Sequence, residues 1–383
     1  MRASTFASRL ARLFIATCTL TAGCSCSDDG WDPGPPDSFR FEVIRQGFGY
    51  KGAHGERRVT FLATADFGEA SGKWLVYTNN GVAYLVDLEN GQEGVLAGPL
   101  FGGLFLAYPS IWNNRVVFTA FRRSIDGGES DADILVCDLD SWRGVHLGGP
   151  DRSKYPSIWE SKVAWVDFRF FRESSDSSVD LNKRRNVEIY YQDLSGGAEV
   201  RVTDAPYEQW RPRIHGDHIV WYDLRDPAQM DVFLYDISTG NEKNLTDHSA
   251  DQWSPEVGER GVVWVDLRNG EGYGGLGPFW NTDIYFYEFA TGETRQITTD
   301  PNDQLNPRIF GRYIVWNDLR DGGRASNGYP SGANVYLYDL DTGQEKRVTW
   351  SEHNEGGGVV AGDKILWWSA LDGAIYMKAL GEL

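Results

Sequence analysis

Cysteine, histidine and methionine are scarce in this sequence of 383 residues, which contains four, six and three of them. The four cysteines show neither the C-x-x-C spacing of metal sites nor the pattern of a disulfide framework: Cys18, Cys24, Cys26 and Cys137. The histidines form no H-E-x-x-H motif, and no G-x-S-x-G motif or Gly-rich phosphate loop occurs. The sequence therefore predicts no catalytic residue, no metal ligand and no cofactor of these familiar types.

Basic residues are also few, because 37 Lys and Arg stand against 55 Asp and Glu, a net charge of −18. The first 23 residues hold three arginines and no acid, so the remainder carries about −21. Such a surface repels nucleic-acid phosphates and anionic lipid headgroups. We therefore expect no nucleic-acid partner, while the acidity itself is explained most simply by solubility.

No apolar run reaches the roughly 20 residues needed to span a bilayer. The run from Leu13 to Gly23 follows three arginines and has the length of a signal-peptide core. It ends in Leu20-Thr-Ala-Gly-Cys24, which resembles a bacterial lipobox although Thr21 stands where the family usually has Leu. The resemblance implies that residues 1–23 are a lipoprotein signal peptide and that Cys24 is lipidated. The alternative is an ordinary signal peptide that is cut elsewhere.

The residue after this cysteine and the segment that follows it predict where the protein resides. Ser25 resembles the default outer-membrane sorting position, so we expect a lipid-anchored protein that faces the periplasm or the cell surface. Residues 24–38 are acidic and rich in Pro and Gly, which predicts a flexible tether. Residues 39–383 then form the folded domain.

An internal repeat decides the fold class. Each unit has one equivalent aromatic residue, and the seven are Tyr77, Phe118, Trp165, Trp221, Trp264, Trp316 and Trp367. Their spacing of 41 to 56 residues fits one four-stranded blade per unit. We therefore predict an all-β fold, a single β-propeller of seven four-stranded blades, with six or eight blades as alternatives because Arg57–Phe67 is not assigned. The last unit lacks its fourth strand, which we assign to Phe41–Ile44 as an N-terminal strand that closes the ring.

The best-preserved unit reads Pro212-Arg-Ile-His-Gly-Asp-His-Ile-Val-Trp221-Tyr-Asp-Leu-Arg225, followed by Asp231-Val-Phe-Leu-Tyr-Asp236. Over about residues 71–380, these repeats resemble those of TolB-like β-propeller proteins. The resemblance implies a propeller but little chemistry, because propellers serve unrelated functions. The separate N-terminal α/β domain of TolB is missing here, and its W-S-P-D-G signature is approached only at Trp253-Ser-Pro-Glu256.

Two polar features recur in each unit. An Asp follows the repeat Trp by two residues and an Arg follows the Asp by two, as in Asp223 and Arg225, and we expect this pair to tie strands together within a blade. Gln209, Gln252 and Gln304 shortly precede the repeat Pro. They predict either a polar binding rim at the channel mouth or capping of turns.

The connections between the second and third strands of the blades differ in length, and the long ones carry aromatic residues. These residues are Phe170, Phe171, Tyr273, Phe279, Trp280 and Tyr329. Insertions confined to one face of a repeat fold often mark a binding face. The other interpretation is that these loops vary without function.

Three functions remain open from the sequence. The first is a non-enzymatic binding or scaffold module for an envelope protein or a glycan. The alternative is a carbohydrate hydrolase or lyase that uses carboxylates at the channel mouth. The third is a calcium-stabilised structural propeller, suggested by the acidic charge and by Asp300, Asn302 and Asp303 in a weak calcium-type loop.

Overall fold

The computed structural model describes residues 37–49, 52, 54–60, 66–122, 132–148, 152–169, 187–226, 228–270, 281–324 and 330–383. They form seven antiparallel sheets of four or five strands, each of which is one blade of a propeller, and one separate two-stranded sheet. Four-stranded sheets with strands A to D from the inside outward make up six blades, and blade 1 has a fifth strand. The predicted all-β, seven-bladed propeller is confirmed.

The strands of the first three blades follow the order of the repeats. Blade 1 contains β3 (Asp66–Ser71), β4 (Trp74–Asn79), β5 (Val82–Asp87) and β6 (Glu93–Ala97), with β1 (Arg40–Arg45) outside β6. Blade 2 contains β7 (Leu104–Trp112), β8 (Arg115–Arg122), β9 (Ala132–Asp138) and β10 (Arg143–Leu147). Blade 3 contains β11 (Ser153–Trp159), β12 (Lys162–Asp167), β13 (Glu188–Asp193) and β14 (Val200–Arg201).

The remaining blades repeat this plan. Blade 4 contains β15 (Gln209–His215), β16 (His218–Asp223), β17 (Asp231–Asp236) and β18 (Asn241–Asn244). Blade 5 contains β19 (Gln252–Gly258), β20 (Gly261–Asp266), β21 (Asp283–Glu288) and β22 (Thr294–Gln296). Blade 6 contains β23 (Gln304–Phe310), β24 (Tyr313–Asp318), β27 (Asn334–Asp339) and β28 (Gln344–Arg347), with a small hairpin of β25 (Gly323–Arg324) and β26 (Pro330–Ser331). Blade 7 contains β29 (Glu355–Ala361), β30 (Lys364–Ser369), β31 (Ile375–Ala379) and β2 (Arg57–Arg58).

Two short 3₁₀ helices, Pro99–Phe101 and Leu380–Glu382, complete the described elements. Within the described ranges, no helix combines the length and the apolar character that a membrane crossing needs. The innermost strands contact one another in order around the ring, and β29 of the last blade returns to β3 of the first. They therefore enclose a central channel.

The hydrophobic core is divided among the interfaces between neighbouring blades. Seven clusters of buried residues occupy the seven interfaces, including the interface between blade 7 and blade 1. All seven repeat aromatics are buried in these clusters, and six of them have no exposed surface. The repeat therefore exists because each blade must present apolar residues to both of its neighbours.

The ring is closed by an N-terminal strand, as predicted, but Phe41–Ile44 is not that strand. The outer strand of blade 7 is Arg57–Arg58, which pairs with Tyr376 and Met377 of β31. Arg40–Arg45 instead pairs with Glu93–Ala97 and forms the fifth strand of blade 1. The closing segment Arg57-Arg-Val-Thr60 repeats the sequence Lys346-Arg-Val-Thr349 that ends blade 6.

The hydroxyl of Thr60 explains why this segment closes the ring. Thr60 Oγ1 accepts a hydrogen bond of 2.9 Å from the backbone N–H of Ile375. Thr349 Oγ1 accepts the equivalent bond of 2.9 Å from Val335 in blade 6. Beside Thr60, Val59 is fully buried in the cluster between blades 7 and 1. Within the stretch Arg57–Phe67, which the sequence left unassigned, Arg57–Arg58 form strand D of blade 7, and Asp66 and Phe67 begin strand A of blade 1.

Candidate functional site

The innermost strand of every blade contains a β-bulge near its start. Strand A has one extra residue there relative to strand B, so the register shifts by one residue, as between Trp210 and Arg213 in blade 4. The residue inside the bulge has a φ between 50° and 66° in six blades: Tyr108, Tyr155, Arg211, Ser254, Asn306 and Gly357. A left-handed residue that is not glycine costs about 1 kcal/mol or more, and a bulge re-aims the neighbouring side chains. The repeat Pro that follows five of these residues marks the bulge in the sequence.

In those six blades the second residue after the left-handed position lines the central channel, and Glu69 is its counterpart after the bulge of blade 1. These equivalent residues, one from each blade, are Glu69, Ser110, Ser157, Arg213, Glu256, Arg308 and Val359. They border a cavity of about 100 Å³ inside the channel. The repeat thus places one variable residue from every blade at a shared point.

Two arginines and two glutamates of this ring form one ion-pair network across the channel. Arg213 Nη1 lies 2.7 Å from Glu69 Oε1, and Arg213 Nε lies 3.3 Å from Glu256 Oε2. Arg308 Nη1 lies 3.1 Å from Glu69 Oε1 and 2.7 Å from Glu256 Oε2. The four charges cancel, and each carboxylate contacts both guanidinium groups.

The electrostatics of this network keep Glu69 ionised. Burial opposes ionisation, but the positive charges of Arg213 and Arg308 and a hydrogen bond with Ser110 outweigh it and lower the pKa of Glu69. The two carboxylates also raise the pKa of Arg308, against the effect of its burial. A carboxylate held in this way is a poor general acid. The network therefore ties blades 1, 4, 5 and 6 together and does not provide a hydrolytic acid–base pair.

The lower end of the channel, where strands A end, carries an aromatic row. The rings of Trp112 and Trp159 lie 3.4 Å apart between centroids, and the ring of His215 lies 3.4 Å from that of Trp159. Burial, with a smaller contribution from the charge of His218, lowers the pKa of His215 to about 4. His215 is therefore neutral at physiological pH and packs as an aromatic residue.

The upper face, from which the D–A and B–C connections emerge, carries a larger set of partly exposed rings on blades 2 to 4. We call it the aromatic patch, and its members are Phe105, Tyr108, Phe121, Tyr155, Phe168 and Trp210. Phe105 and Tyr108 are 43% and 42% exposed. The Tyr108 and Tyr155 rings lie 4.4 Å apart, and Trp210 contacts both Tyr155 and Phe168.

Positive charges accompany these rings. Lys154 Nζ lies 5.6 Å from the centre of the Phe121 ring and 5.1 Å from that of Phe168, within cation–π range. Arg211 is exposed at the rim of the channel. Burial, together with a hydrogen bond to Tyr108, raises the pKa of Tyr155 to about 12, so its hydroxyl stays protonated. The patch is therefore an apolar surface with a positive component on an otherwise acidic protein.

The three glutamines predicted at the channel rim do not lie on an exposed surface. Gln209, Gln252 and Gln304 are fully buried at the start of their strands. Gln252 Nε2 donates to the carbonyl of Ala250 at 2.6 Å, and Gln304 Nε2 donates to that of Asn302 at 2.5 Å. Their amides hold the D–A connections in place, because a buried amide must find backbone partners. The prediction of a polar rim is therefore wrong. The glutamines cap turns, as the other interpretation held, and the groups that they cap are backbone carbonyls.

The aromatic residues of the long B–C loops, and the lipidation site, lie outside the described residues. They are Phe170, Phe171, Tyr273, Phe279, Trp280, Tyr329 and Cys24. The ends of these loops emerge on the same face as the aromatic patch, because strand B runs toward it in every blade. Their predicted role in binding stays a prediction.

The repeated Asp–Arg pairs have a structural role in blades 3 to 6. In blade 5, Asp266 Oδ2 accepts a hydrogen bond of 2.9 Å from Trp264 Nε1 and one of 2.7 Å from Arg268 Nη2. The other carboxylate oxygen accepts a hydrogen bond from the backbone N–H of Arg268. The guanidinium carbon of Arg268 lies 4.2 Å from the ring centre of Tyr285 in strand C. The pair therefore joins strand B to strand C, as expected.

The weak calcium-type loop uses its oxygens internally. Asp300 Oδ1 accepts hydrogen bonds from the backbone and side-chain nitrogens of Asn302, and Asp303 Oδ1 accepts from the backbone N–H of Thr282. Across the described ranges, no group of three or more His, Cys, Asp and Glu side chains is placed to hold a metal ion. Cys137 is buried, and burial raises the pKa of its thiol well above the usual range.

Neither the channel network nor the aromatic patch was predicted from the sequence. The signal for the network was the middle residue of the repeated P-x-I motif, which is charged at positions 213, 256 and 308 within otherwise buried strands. The signal for the patch was weaker, since its rings come from three blades and no local pattern joins them.

No protein-family model and no curated protein matches this sequence. Solved structures do match in fold. An oligogalacturonate lyase from Vibrio parahaemolyticus superimposes with a TM-score of 0.58 at 12% identity, over 89% of this chain and 98% of that one. An oligogalacturonate lyase in complex with manganese gives 0.55 at 13% identity, with the same two coverages.

Peptidase propellers match as well. An acylaminoacyl peptidase from Pyrococcus horikoshii superimposes with a TM-score of 0.56 at 16% identity, over 84% of this chain and 53% of that one. TolB from Acinetobacter baumannii gives only 0.43 at 16% identity, over 82% of this chain and 77% of that one. The superpositions on the two lyases and the acylaminoacyl peptidase establish a shared fold, and at 12%, 13% and 16% identity they assign no activity to this chain.

Proposed function

We propose that this protein is a non-catalytic binding module of the bacterial cell envelope, which holds a partner on the upper face of its propeller. The observation that carries the proposal is the aromatic patch. Clusters of exposed aromatic rings are uncommon on a protein surface without a binding role, and aromatic residues dominate the energy of protein interfaces.

The geometry of the patch favours a protein over a glycan. Adjacent rings are inclined to each other by 50° for Tyr108 and Tyr155, 76° for Tyr155 and Trp210, and 65° for Phe168 and Trp210. Sugar rings stack best on flat, accessible faces, whereas inclined rings form pockets that receive apolar side chains. Lys154 and Arg211 add positive charge, so we expect the partner surface to combine apolar and acidic residues.

The carboxylates of the central channel do not support the alternative, a carbohydrate hydrolase or lyase. A glycosidase needs one carboxyl group that is protonated near neutral pH and a second that is ionised. In the channel, Glu69 and Glu256 share the same two arginines, and the pKa of Glu69 is lowered. The binding role requires no such pair.

Attachment to the outer membrane through a lipid on Cys24 is part of the proposal. The lipobox resemblance and the Pro/Gly-rich segment at residues 24–38 support it. Labelling of cells with a radioactive fatty acid tests this part separately. The full-length protein is expected to be labelled and Cys24→Ala to be unlabelled, whereas equal labelling of both would refute lipidation at Cys24.

Cross-linking in native envelopes tests the binding face. The wild-type protein is compared with a Phe105→Ser/Tyr108→Ser variant, which removes the two most exposed rings of the patch. We expect the variant to recover at least tenfold less partner, about 1.4 kcal/mol in affinity. Phe310→Ser is the matched control, because Phe310 is 40% exposed at the opposite end of the channel.

Equal recovery by the wild type and the patch variant would overturn the proposed face. A second variant, with Tyr273, Phe279 and Trp280 changed to Ala, tests the predicted loop contribution in the same assay. Digestion of the recovered material separates the partner classes. Loss of the partner with protease supports a protein, whereas loss only with a peptidoglycan hydrolase indicates a glycan.

A further inference from the structure

Blade 6 shows the complete form of the Asp–Arg arrangement described above. Asp318 accepts a hydrogen bond of 2.8 Å from the indole N–H of Trp316 and one of 2.7 Å from Arg320 Nη2. The guanidinium carbon of Arg320 lies 4.3 Å from the ring centre of Tyr336. Arg320 Nη1 also donates a hydrogen bond of 2.6 Å to Glu345 in strand D. A guanidinium group thus occupies a site made of two carboxylates and one aromatic face.

Blade 7 keeps the walls of this site but has no arginine in it. Trp367 and Tyr376 stack as Trp316 and Tyr336 do, with centroids 6.3 Å apart. The register of β2 against β31 places Glu56 where blade 6 has Glu345. However, Ser369 and Leu371 stand at the positions of the Asp and the Arg.

Glu355 supplies the carboxylate that Ser369 lacks. It stands where blades 4 to 6 have a buried glutamine, and it is 6% exposed. Ser369 Oγ donates a hydrogen bond of 2.8 Å to Glu355 Oε1. The indole of Trp367 also forms a hydrogen bond with this carboxylate. Burial raises the pKa of Glu355, since no cation of the described residues lies within ion-pair distance.

A cavity of about 230 Å³ lies where the guanidinium group would be. Its walls include Glu56, Glu355, Trp367 and Tyr376, and Leu371 at its edge is 63% exposed and leaves it open. Arg58 is not a substitute, because its guanidinium lies 3.4 Å from Asp372. Arg347 and Asp321 form the equivalent ion pair in blade 6, where Arg320 fills the guanidinium site in addition. Arg58 therefore corresponds to Arg347 and not to Arg320.

A lysine that forms no ion pair with any described carboxylate also lines the cavity. Lys378 is 7% exposed, and no carboxylate oxygen of the described residues lies within 4.0 Å of its ammonium group. Its Nζ lies 5.6 Å from the ring centre of Trp350, which is 50% exposed at the cavity wall. Thr349 and Ser351 add polar groups beside it. A buried ammonium group of this kind favours an anionic ligand group.

We propose that this cavity of blade 7 binds an arginine that carries a free carboxylate, either the free amino acid or the C-terminal residue of a peptide. The guanidinium group lies on Tyr376 beside the carboxylate of Glu355, as an intramolecular arginine does in blades 3 to 6. The ligand carboxylate meets Lys378. The site is separate from the aromatic patch, and it does not depend on the function proposed for that patch.

Calorimetric titration of the full chain tests the proposal with four compounds. They are L-arginine, L-citrulline, agmatine, and a tripeptide with a blocked N-terminus that ends in arginine with a free carboxylate. Citrulline has nearly the shape of arginine without its positive charge. We expect binding of arginine or of the peptide, at least tenfold weaker binding of citrulline, and at least tenfold weaker binding of agmatine, which lacks the carboxylate. The comparison of arginine with the peptide distinguishes the two sources of the ligand.

Two variants test the placement of the ligand without loss of the fold. Glu355→Gln introduces the residue that blades 4 to 6 already have there, and we expect at least a tenfold loss of affinity. Glu355→Gln/Ser369→Asp/Leu371→Arg restores the arrangement of blade 6, so its own arginine should fill the cavity, abolish binding and raise Tm. No binding of any arginine ligand to the wild type at millimolar concentration, or unchanged affinity in the triple variant, would overturn the proposal.

Discussion

Arg213 of blade 4 and Glu69 of blade 1 form an ion pair across the central channel, with 2.7 Å between Nη1 and Oε1. The two blades are not neighbours in the ring, so the pair links opposite sides of the propeller. Both side chains are mostly buried, and each also contacts a second partner in the network. The pair therefore supports the ring as a whole and not one blade interface.

Arg213→Met should destabilise the protein by about 2–3 kcal/mol, somewhat less than the loss of one partner from a fully buried pair. The variant keeps most of the side-chain volume but leaves Glu69 and Glu256 with one cation between them. Unfolding in urea, followed by Trp fluorescence, measures the change. The double variant Arg213→Met/Glu256→Gln should recover part of the loss, because it removes the excess negative charge. A loss below 0.5 kcal/mol in the single variant would contradict a supporting role.

His215 should make stability depend on pH between about 6.5 and 4. Its pKa is lowered from 6.5 to about 4 in the folded protein, so the unfolded chain takes up a proton first as the pH falls. The contribution of His215 is thus complete above pH 6.5 and is lost progressively toward pH 4. His215→Phe should flatten the dependence of Tm on pH in this window. An identical slope in wild type and His215→Phe would refute this assignment.

Asp266→Ala should cost about 3 kcal/mol of the free energy of unfolding. The substitution leaves the buried indole N–H of Trp264 and the guanidinium of Arg268 without their shared acceptor. Ser369→Ala at the equivalent position of blade 7 is the matched control, with an expected cost of about 1–2 kcal/mol because two hydroxyl hydrogen bonds but no ion pair are lost. Equal costs in the two blades, measured by denaturant unfolding, would contradict the difference between them.

Thr60→Val should cost about 1–2 kcal/mol, because the backbone N–H of Ile375 loses its acceptor inside the protein. Thr349→Val removes the same bond in blade 6 and should cost a similar amount. Thermal unfolding of both variants measures the comparison, with the exposed Thr291→Val as a control. If Thr60→Val has no effect while Thr349→Val destabilises, the segment around Thr60 does not close the ring in solution.

Much of the blade architecture could be predicted from the repeat. Trp221, Trp264 and Trp316 marked strand B, and the Asp–Arg pairs that follow them were correctly expected to join strands within a blade. The prediction that Phe41–Ile44 closes the ring is wrong, because β-branched and aromatic residues favour a strand without specifying the sheet edge with which it pairs. Arg57-Arg-Val-Thr60 carries that motif at the far end of the chain from the blade that it completes.

The candidate sites were harder to predict than the fold. The three glutamines looked suitable for a rim because they precede strand A, but burial at that position directs their amides to the backbone of the preceding connection. The arginine-type cavity of blade 7 depends on two residues that differ from the repeat, Ser369 and Leu371. Such departures are visible in the sequence only when the structural role of the usual residue is known.

The sequence by itself determined the blade as a unit, because apolar alternation, the repeat Pro and the turn glycines act within about 50 residues of chain. The tertiary structure alone decided what meets across the ring. Glu69 and Arg213 are 144 residues apart in the sequence, and the aromatic patch contains residues of three blades. The cavity of blade 7 combines β2, from the first part of the chain, with β31, from the last part. Ring closure brings these residues together, and no local pattern encodes a contact that exists only after the last blade has joined the first.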